Sequence, residues 1–338
     1  MNFTINKYFL FAAIIFLSCS SKKGHSIQSV YGVITPSTGD IWLSHEHILV
    51  DFIGADSIDK SKWDHDRVIS TMSPYLAEVR KHHVKFFVDA TPAYLGRDVV
   101  LLEKLAKKTG LTILTNTGFY GAGNDKYIPS FAFNKTPEEL AEIWINEYKN
   151  GIEGTSIKPG FIKISVDTRD TLDAMDEKLV KAAAITHLQT GLTILSHTGK
   201  ANGLWPQLKI LREMNVSPTA FVWVHAQNEE DNNNYLLAAK EGCWIALDGL
   251  GWELQKHAGK ILFAKENGLL GKILISHDAG WYDPQKQTQA VKSYTDIFTQ
   301  LYPFLLSKGF TKQQFDTLVS INPAEAFSVH VKRMYAER

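Results

Sequence analysis

The chain of 338 residues has only two cysteines, Cys19 and Cys243. No disulfide framework can be built from them, and no bridge at all if Cys19 carries lipid. Net charge is absent too, since 36 Lys and Arg balance 36 Asp and Glu. Without a basic stripe there is no electrostatic reason to expect a nucleic acid or an anionic membrane surface as partner. No hydrophobic run is long enough to cross a bilayer, which takes about 20 residues of helix. Beyond about residue 27 there is no low-complexity segment, Pro/Gly-rich linker or shift in composition. What is there is apolar: 44% hydrophobic and 11% aromatic residues, enough for a large globular core.

The amino terminus stands apart. Lys7 precedes the apolar run Tyr8 to Leu17, which ends in Ser18-Cys19 and the polar Ser20-Ser-Lys-Lys-Gly24. The run has the length of a secretory signal's apolar region. A small residue before Cys resembles the bacterial lipoprotein box, whose Cys is lipidated and becomes the first residue. The expectation is a signal peptide over 1–18, lipidated Cys19 with a short tether over 19–26, and an exported lipoprotein facing the periplasm. An uncleaved anchor or an ordinary cleaved signal is the alternative. Cys243, in Cys243-Trp-Ile-Ala-Leu247, reads as a small core residue.

From 27 to 338 short apolar runs alternate with stretches of helical spacing. The runs are Ile41–His45, Val84–Asp89, Leu111–Asn116, Gly160–Ser165, Leu192–His197, Ala220–His225, Cys243–Asp248 and Lys272–Asp278. Rich in Val, Ile, Leu and Phe, they read as strands buried on both faces. Helices are expected at Asp98–Thr109, Pro137–Lys149, Asp176–Thr190, Leu204–Met214, Asn232–Glu241 and Leu254–Asn267. Gly110, Gly191 and Gly242 sit where a helix closes before a strand. Eight β–α alternations predict a single α/β domain, a (β/α)8 TIM barrel. An open doubly wound sheet is the alternative, weakened by the lack of a glycine-rich dinucleotide loop after the first strand.

Nearly every strand candidate ends in a residue able to ligate metal or move a proton: His45 with His47, Asp89, Asn116, Lys163, His197, His225, Asp248 and Asp278. In a barrel these ends open on one face, where active sites lie. His45 and His47, two apart, point to the same side and can chelate one ion. Among 12 histidines a chance pair is common, so the pair alone says little; His197, His225 and Asp278 at later strand ends give it weight. Lys163 as an ammonium has no lone pair. Buried near divalent cations it favours the neutral amine, which can add carbon dioxide to form a metal-bridging carbamate. A buried lysine neutralised by Asp278 or Asp89 is the equal alternative. His82 and His83 read as an exposed helix end, and His187 as part of a helix. His25, His65 and His330 read as unaccompanied, and His277 as facing away from Asp278. His257 has no assigned role.

In the same order along the chain lie Ser44-His-Glu-His47, Val88-Asp89 with Gly96-Arg-Asp98, Thr117-Gly118, Phe161-Ile-Lys-Ile164, Ser196-His-Thr198, His225, Ser276-His-Asp278 and Asn322-Pro-Ala324. With these the chain resembles the bacterial phosphotriesterase family of the amidohydrolase superfamily. The resemblance implies two divalent metal ions, zinc first, with manganese, cobalt or iron suiting the same ligands. His45, His47 and Asp278 would hold the more buried ion, His197 and His225 the more exposed one, and Lys163, as N6-carboxylysine, would bridge them. Asp248 matches a carboxylate that passes protons away from Asp278. Ala226-Gln-Asn-Glu-Glu230 and Gly249-Leu-Gly-Trp252 depart from the pattern of phosphotriesterases proper and lactonases, so chemistry carries over better than substrate.

The expected reaction is hydrolysis of an ester by a metal-bridging hydroxide, with Asp278 taking its proton, a lactone as the leading substrate and phosphotriesters a side activity. Tyr94, Tyr120, Trp252, Trp281 and Tyr282 lie in loops that could line a small-molecule pocket, where aromatics pack as often as they recognise. Arg97 and Arg169 read as structural ion pairs. A metal-dependent nuclease commonly has Glu at the Lys163 position, and a non-catalytic binding lipoprotein would be expected to have lost ligands. A homodimer is compatible with all of this.

Overall fold

The computed structural model describes residues 25–287 and 289–335. The signal peptide and Cys19 lie outside the described residues. Among those described, no helix is long and apolar enough to cross a membrane.

A hairpin of β1 (Ile27–Ser29) and β2 (Gly32–Ile34) precedes a parallel array: β3 (Ile41–Glu46), β4 (Val84–Asp89), β5 (Thr112–Leu114), β6 (Asn116–Thr117), β7 (Phe161–Ser165), β8 (Thr193–His197), β9 (Phe221–Val224), β10 (Trp244–Leu247) and β11 (Ile273–Ile275). The helices are α1 (His65–Lys81), α2 (Val99–Thr109), α3 (Ser130–Phe133), α4 (Pro137–Asn150), α5 (Ala174–Thr190), α6 (Ala201–Glu213), α7 (Asn233–Glu241), α8 (Leu254–Glu266), α9 (Tyr302–Ser307), α10 (Lys312–Asp316) and α11 (Asn322–Ala326). All eight anticipated strands form, the third split at Thr115 into β5 and β6. Of α1 only the end at His82 and His83 was anticipated, not the span: Pro74 interrupts its pattern, yet Val68, Met72, Leu76 and Val79 bury one face. Gly110, Gly191 and Gly242 close α2, α5 and α7 in left-handed geometry, which costs a residue without Cβ little.

The fold is α/β with parallel strands, but the ladders do not close the expected barrel. They run as β3-β4-β5 and as β6 through β11. At the seam between β11 and β3, hydroxyls stand in for a ladder: Ser44 Oγ donates to Ile275 O at 3.0 Å, and His45 N donates to Ser276 Oγ at 3.0 Å. A register shift between Leu43 and Glu46 turns β3 away at this point. Asn322 Nδ2 ties the start of β11 by donating to Leu270 O and Ile273 O, which accounts for the Asn322-Pro-Ala324 motif.

The strands separate two apolar layers. Trp42, Phe86, Val88, Phe161, Leu195, Val222, Trp244 and Leu274 pack on the inner side, while Phe87, Ile162, Ile194, Trp223, Ile245 and Ile273 face the helices. Alternation along each strand therefore aims Lys163 inward with Phe161, His197 with Leu195, and Asp248 with Trp244 and Ala246.

Cys243 is fully buried, as expected of a core residue. Burial pushes its thiol up to about 12, and the thiolate is the reactive form. Iodoacetamide at pH 8 should leave Cys243 unmodified in the native protein and alkylate it in guanidinium, read by peptide mass mapping. Equal labelling in both would mean that this core opens readily.

Candidate metal centre

His45 sits on β3 and His47 just beyond it. Nε2 of His45 and of His47 lie 3.7 and 3.0 Å from Asp278 Oδ1, and ligand atoms of the three residues all fall within 4.8 Å of one another. His225 joins them with its ring centre 5.2 Å from that of His45, and His197 with its ring centre 4.3 Å from that of His225. These five, with Lys163, line one cavity of about 60 Å³ walled by Val50, Phe52, Ala90, Pro92, Leu95, Tyr120 and Trp281. A roomier groove of about 610 Å³ lies outside, between α5 and α6, and contains none of them.

Asp248 orients two of the rings. Its Oδ2 lies 2.9 Å from His45 Nδ1 and its Oδ1 2.7 Å from His225 Nδ1. Donation of Nδ1–H to this carboxylate leaves each Nε2 lone pair free for a metal. His47 Nδ1 is held 2.7 Å from Thr91 Oγ1, and His197 Nδ1 lies 3.0 Å from the Tyr120 hydroxyl. Asp248 hydrogen-bonds His45 and His225 rather than Asp278, so in this geometry it acts as a positioning group.

Electrostatics follow from crowding. Burial, then the Lys163 charge, lowers His45 to about 4 against the pull of Asp248. Burial, with His225 and Lys163 beside it, holds His197 well below the usual imidazole range. Burial raises Asp278, but the His47 hydrogen bond and the surrounding imidazoles outweigh it and keep the carboxyl low. Burial draws Lys163 down to about 8, with Asp248 and Asp278 opposing. Its Nζ is buried without a hydrogen-bond partner. Asp89, the alternative counter-ion, instead accepts from the backbone of Ile48 and Thr91.

Two of the candidate ligands occupy strained backbone. His225 has φ 61° and Asp278 has φ 53°, values uncommon outside glycine that cluster at functional sites. Gly280 follows with φ 95°, and a Cβ there would collide with His47 O and the Tyr294 hydroxyl. No other residue fits that turn.

The donor set fits divalent ions. His45, His47 and Asp278 offer two imidazoles and a carboxylate to one ion. His197 and His225 alone are a sparse second site, and the partnerless Lys163 amine, aimed into the same cavity, is the group whose carbamate would complete it. A match to the phosphotriesterase family profile spans residues 25–327. The chain belongs to the phosphotriesterase family. It is 32% identical over 311 residues to an aryldialkylphosphatase of Saccharolobus solfataricus, covering 85% of this chain and 94% of that protein. It is 24% identical to a phosphotriesterase homology protein of Escherichia coli, over 84% and 97% of the two chains. With the human N-acetyltaurine hydrolase the identity is 25%, over 90% and 98%. The family is one of binuclear metal-dependent hydrolases, and this phosphotriesterase-family chain is a hydrolase of that kind.

The aromatic candidates separate. Tyr120 and Trp281 line the ligand cavity. Trp252, 65% exposed, borders an adjoining cavity of about 240 Å³ together with His197, His225, His257 and Asp278. Tyr94 packs edge-on against Phe119 and Phe131, outside the ligand cavity. Tyr282 is buried, its backbone N donating to Ile48 O. Arg97 pairs with Glu147 at 2.6 Å, and Arg169 with Asp167 and Asp173. His65, read as unaccompanied, lies 2.7 Å from Asp98, and His25 lies 3.6 Å from Glu325. His187 is a buried connector between Leu192 O and Lys332 N.

Sequence reasoning passed over Glu46. It is fully buried and accepts from Ser276 Oγ at 2.7 Å, His277 Nδ1 at 2.7 Å, His277 N at 3.1 Å and Ala279 N at 3.0 Å. His277 thus faces away from Asp278, as expected, and Glu46 fixes the turn that presents Asp278. The signal was the residue between two same-side histidines, which must point to the other side. Glu46→Ala leaves these buried donors unpaired and should destabilise the protein by about 3–5 kcal/mol. Chemical denaturation of the apo protein reads this, and a loss under 1 kcal/mol would remove Glu46 from the role.

Proposed function

We propose that the protein hydrolyses a small ester, with a lactone or carboxylic ester as substrate and phosphotriesters as a side activity, at a binuclear centre. The convergence of His45, His47, His197, His225 and Asp278 on one small cavity with a partnerless Lys163 supports this reading most strongly. Two divalent ions, when bound, would supply the charge that polarises the scissile carbonyl and lowers the pKa of the attacking water. His45, His47 and Asp278 would hold one ion and His197 and His225 the other, with carbamylated Lys163 between them. Asp278 would take the proton from the water. Asp248 keeps the His45 and His225 tautomers fixed throughout. Val50, Pro92 and Leu95 give the cavity an apolar wall on one side. Relatives named for an aryl dialkyl phosphate and for N-acetyltaurine bracket the chemistry, from phosphorus to acyl carbon. The strands are taken as one (β/α)8 barrel, its ligand-bearing ends on one face.

Metal analysis with a panel of lactones and aryl esters tests the assignment. The wild type should hold two ions per chain and hydrolyse at least one class. Lys163→Ala should lose metal and at least ~100-fold in kcat/KM, with a short carboxylic acid restoring part of both. Full metal content and activity in Lys163→Ala would disprove the bridge. Two bound ions with no hydrolysis across the panel would favour a binding protein.

We further propose that the protein is exported and anchored through lipid on Cys19, on the strength of the apolar run ending in Ser18-Cys19. Radiolabelled palmitate should enter the wild type and not Cys19→Ser; equal labelling of both would refute it.

A further inference from the structure

The segment after β11 returns across the mouth of the site. Lys292 on that segment exchanges backbone hydrogen bonds with Gly280 at 3.2 and 3.4 Å, tying it to the turn that presents Asp278. Its ammonium lies 3.1 Å from the centre of the Trp252 ring. Nζ is buried and has no hydrogen-bond partner. The place it occupies is kept open by Gly251, where a Cβ would collide with Lys292 Cε. Asp278, Asp296 and Glu46 act on Lys292 only at longer range. An ammonium has three protons to donate, and an aromatic face satisfies its charge only in part. The ammonium nitrogen of this half-buried side chain is therefore covered without an acceptor.

The space beside it explains what could serve as one. Phe52, Trp252, Trp281 and Lys292 border a cavity of about 340 Å³. Phe52 and Trp281 also wall the ligand cavity, and Trp252 borders the space shared with His197 and His225. A molecule with its reacting bond among the ligands can thus run along aromatic walls to Lys292. Lys286, the other lysine at this cavity, is already paired with Asp283 at 3.2 Å.

We propose, building on the hydrolase reading of this site, that Lys292 with Trp252 receives an anionic group, a carboxylate, sulfonate or phosphonate, at the far end of the substrate. The substrate class is then a small acyl compound carrying a negative charge, and Lys292 is its specificity residue. Burial draws the Lys292 ammonium down to about 8, and an anion against it would keep it charged at neutral pH.

A matched pair of lactones, γ-butyrolactone and its γ-carboxylate, tests the assignment on the metal-loaded full chain. The wild type should prefer the carboxylate at least ~10-fold in kcat/KM, from a charge-assisted hydrogen bond. Lys292→Met should abolish that preference through KM, and Lys292→Arg should keep most of it. The same preference in wild type and Lys292→Met overturns the proposal. In parallel, propane-1-sulfonate is titrated and followed by indole fluorescence. Lys292→Met should weaken binding at least ~10-fold, and an unchanged Kd overturns the proposal. If neither lactone is cleaved, the hydrolase reading fails for lactones while the sulfonate titration still decides the anion site.

Discussion

Asp248 is a buried carboxylate shared between two imidazoles, His45 from the first strand of the array and His225 from the end of β9. A charge so deeply placed is tolerated only if fully hydrogen-bonded. The two Nδ1–H groups and the His225 backbone N together meet that demand. The arrangement decides which nitrogen of each ring faces the cavity, and so where a cation can sit. It also ties β3 to the neighbouring pair β9 and β10 at their carboxyl ends, where no backbone ladder links β3 to either.

A second carboxylate does similar work on the other side of β3. Glu46 points away from the cavity and gathers Ser276, His277 and Ala279. Between them, Glu46 and Asp248 hold the seam where the strand ladders stop. The left-handed backbone at His225 and Asp278 is sustained by these bonds. Strain of that kind persists only when its surroundings over-determine it, and here two buried acids and Gly280 do so.

Much of this was legible in the residues themselves. Strand runs such as Val84–Asp89 and Leu192–His197 announce their type by continuous apolar side chains, and their polar last residues mark one end of the sheet. Glycines after α2, α5 and α7 gave those boundaries. Hidden from linear reading were the span of α1, whose pattern Pro74 interrupts, and the Thr115 break that divides one expected strand in two. At the site, residue types and order sufficed to anticipate which side chains converge, because parallel strands bring their ends together. Roles that depend on partners did not show: Asp248 as a clamp, Glu46 at all, and the division of Tyr94 from Tyr120, which turns on loop packing. The pairing of His65 with Asp98 has the same origin, since a surface contact between α1 and the start of α2 has no periodicity.

The bonds between Glu46 and its partners span 230 to 233 residues. On a growing chain this acid emerges early and waits for nearly all of the rest before its acceptors are used. Long-range closure of this sort slows folding and leaves apolar strands exposed meanwhile. The last of the candidate ligands, Asp278, arrives on the same late turn, so a chain that ends before it lacks part of the donor set. A complete donor set therefore exists only once that late turn is in place.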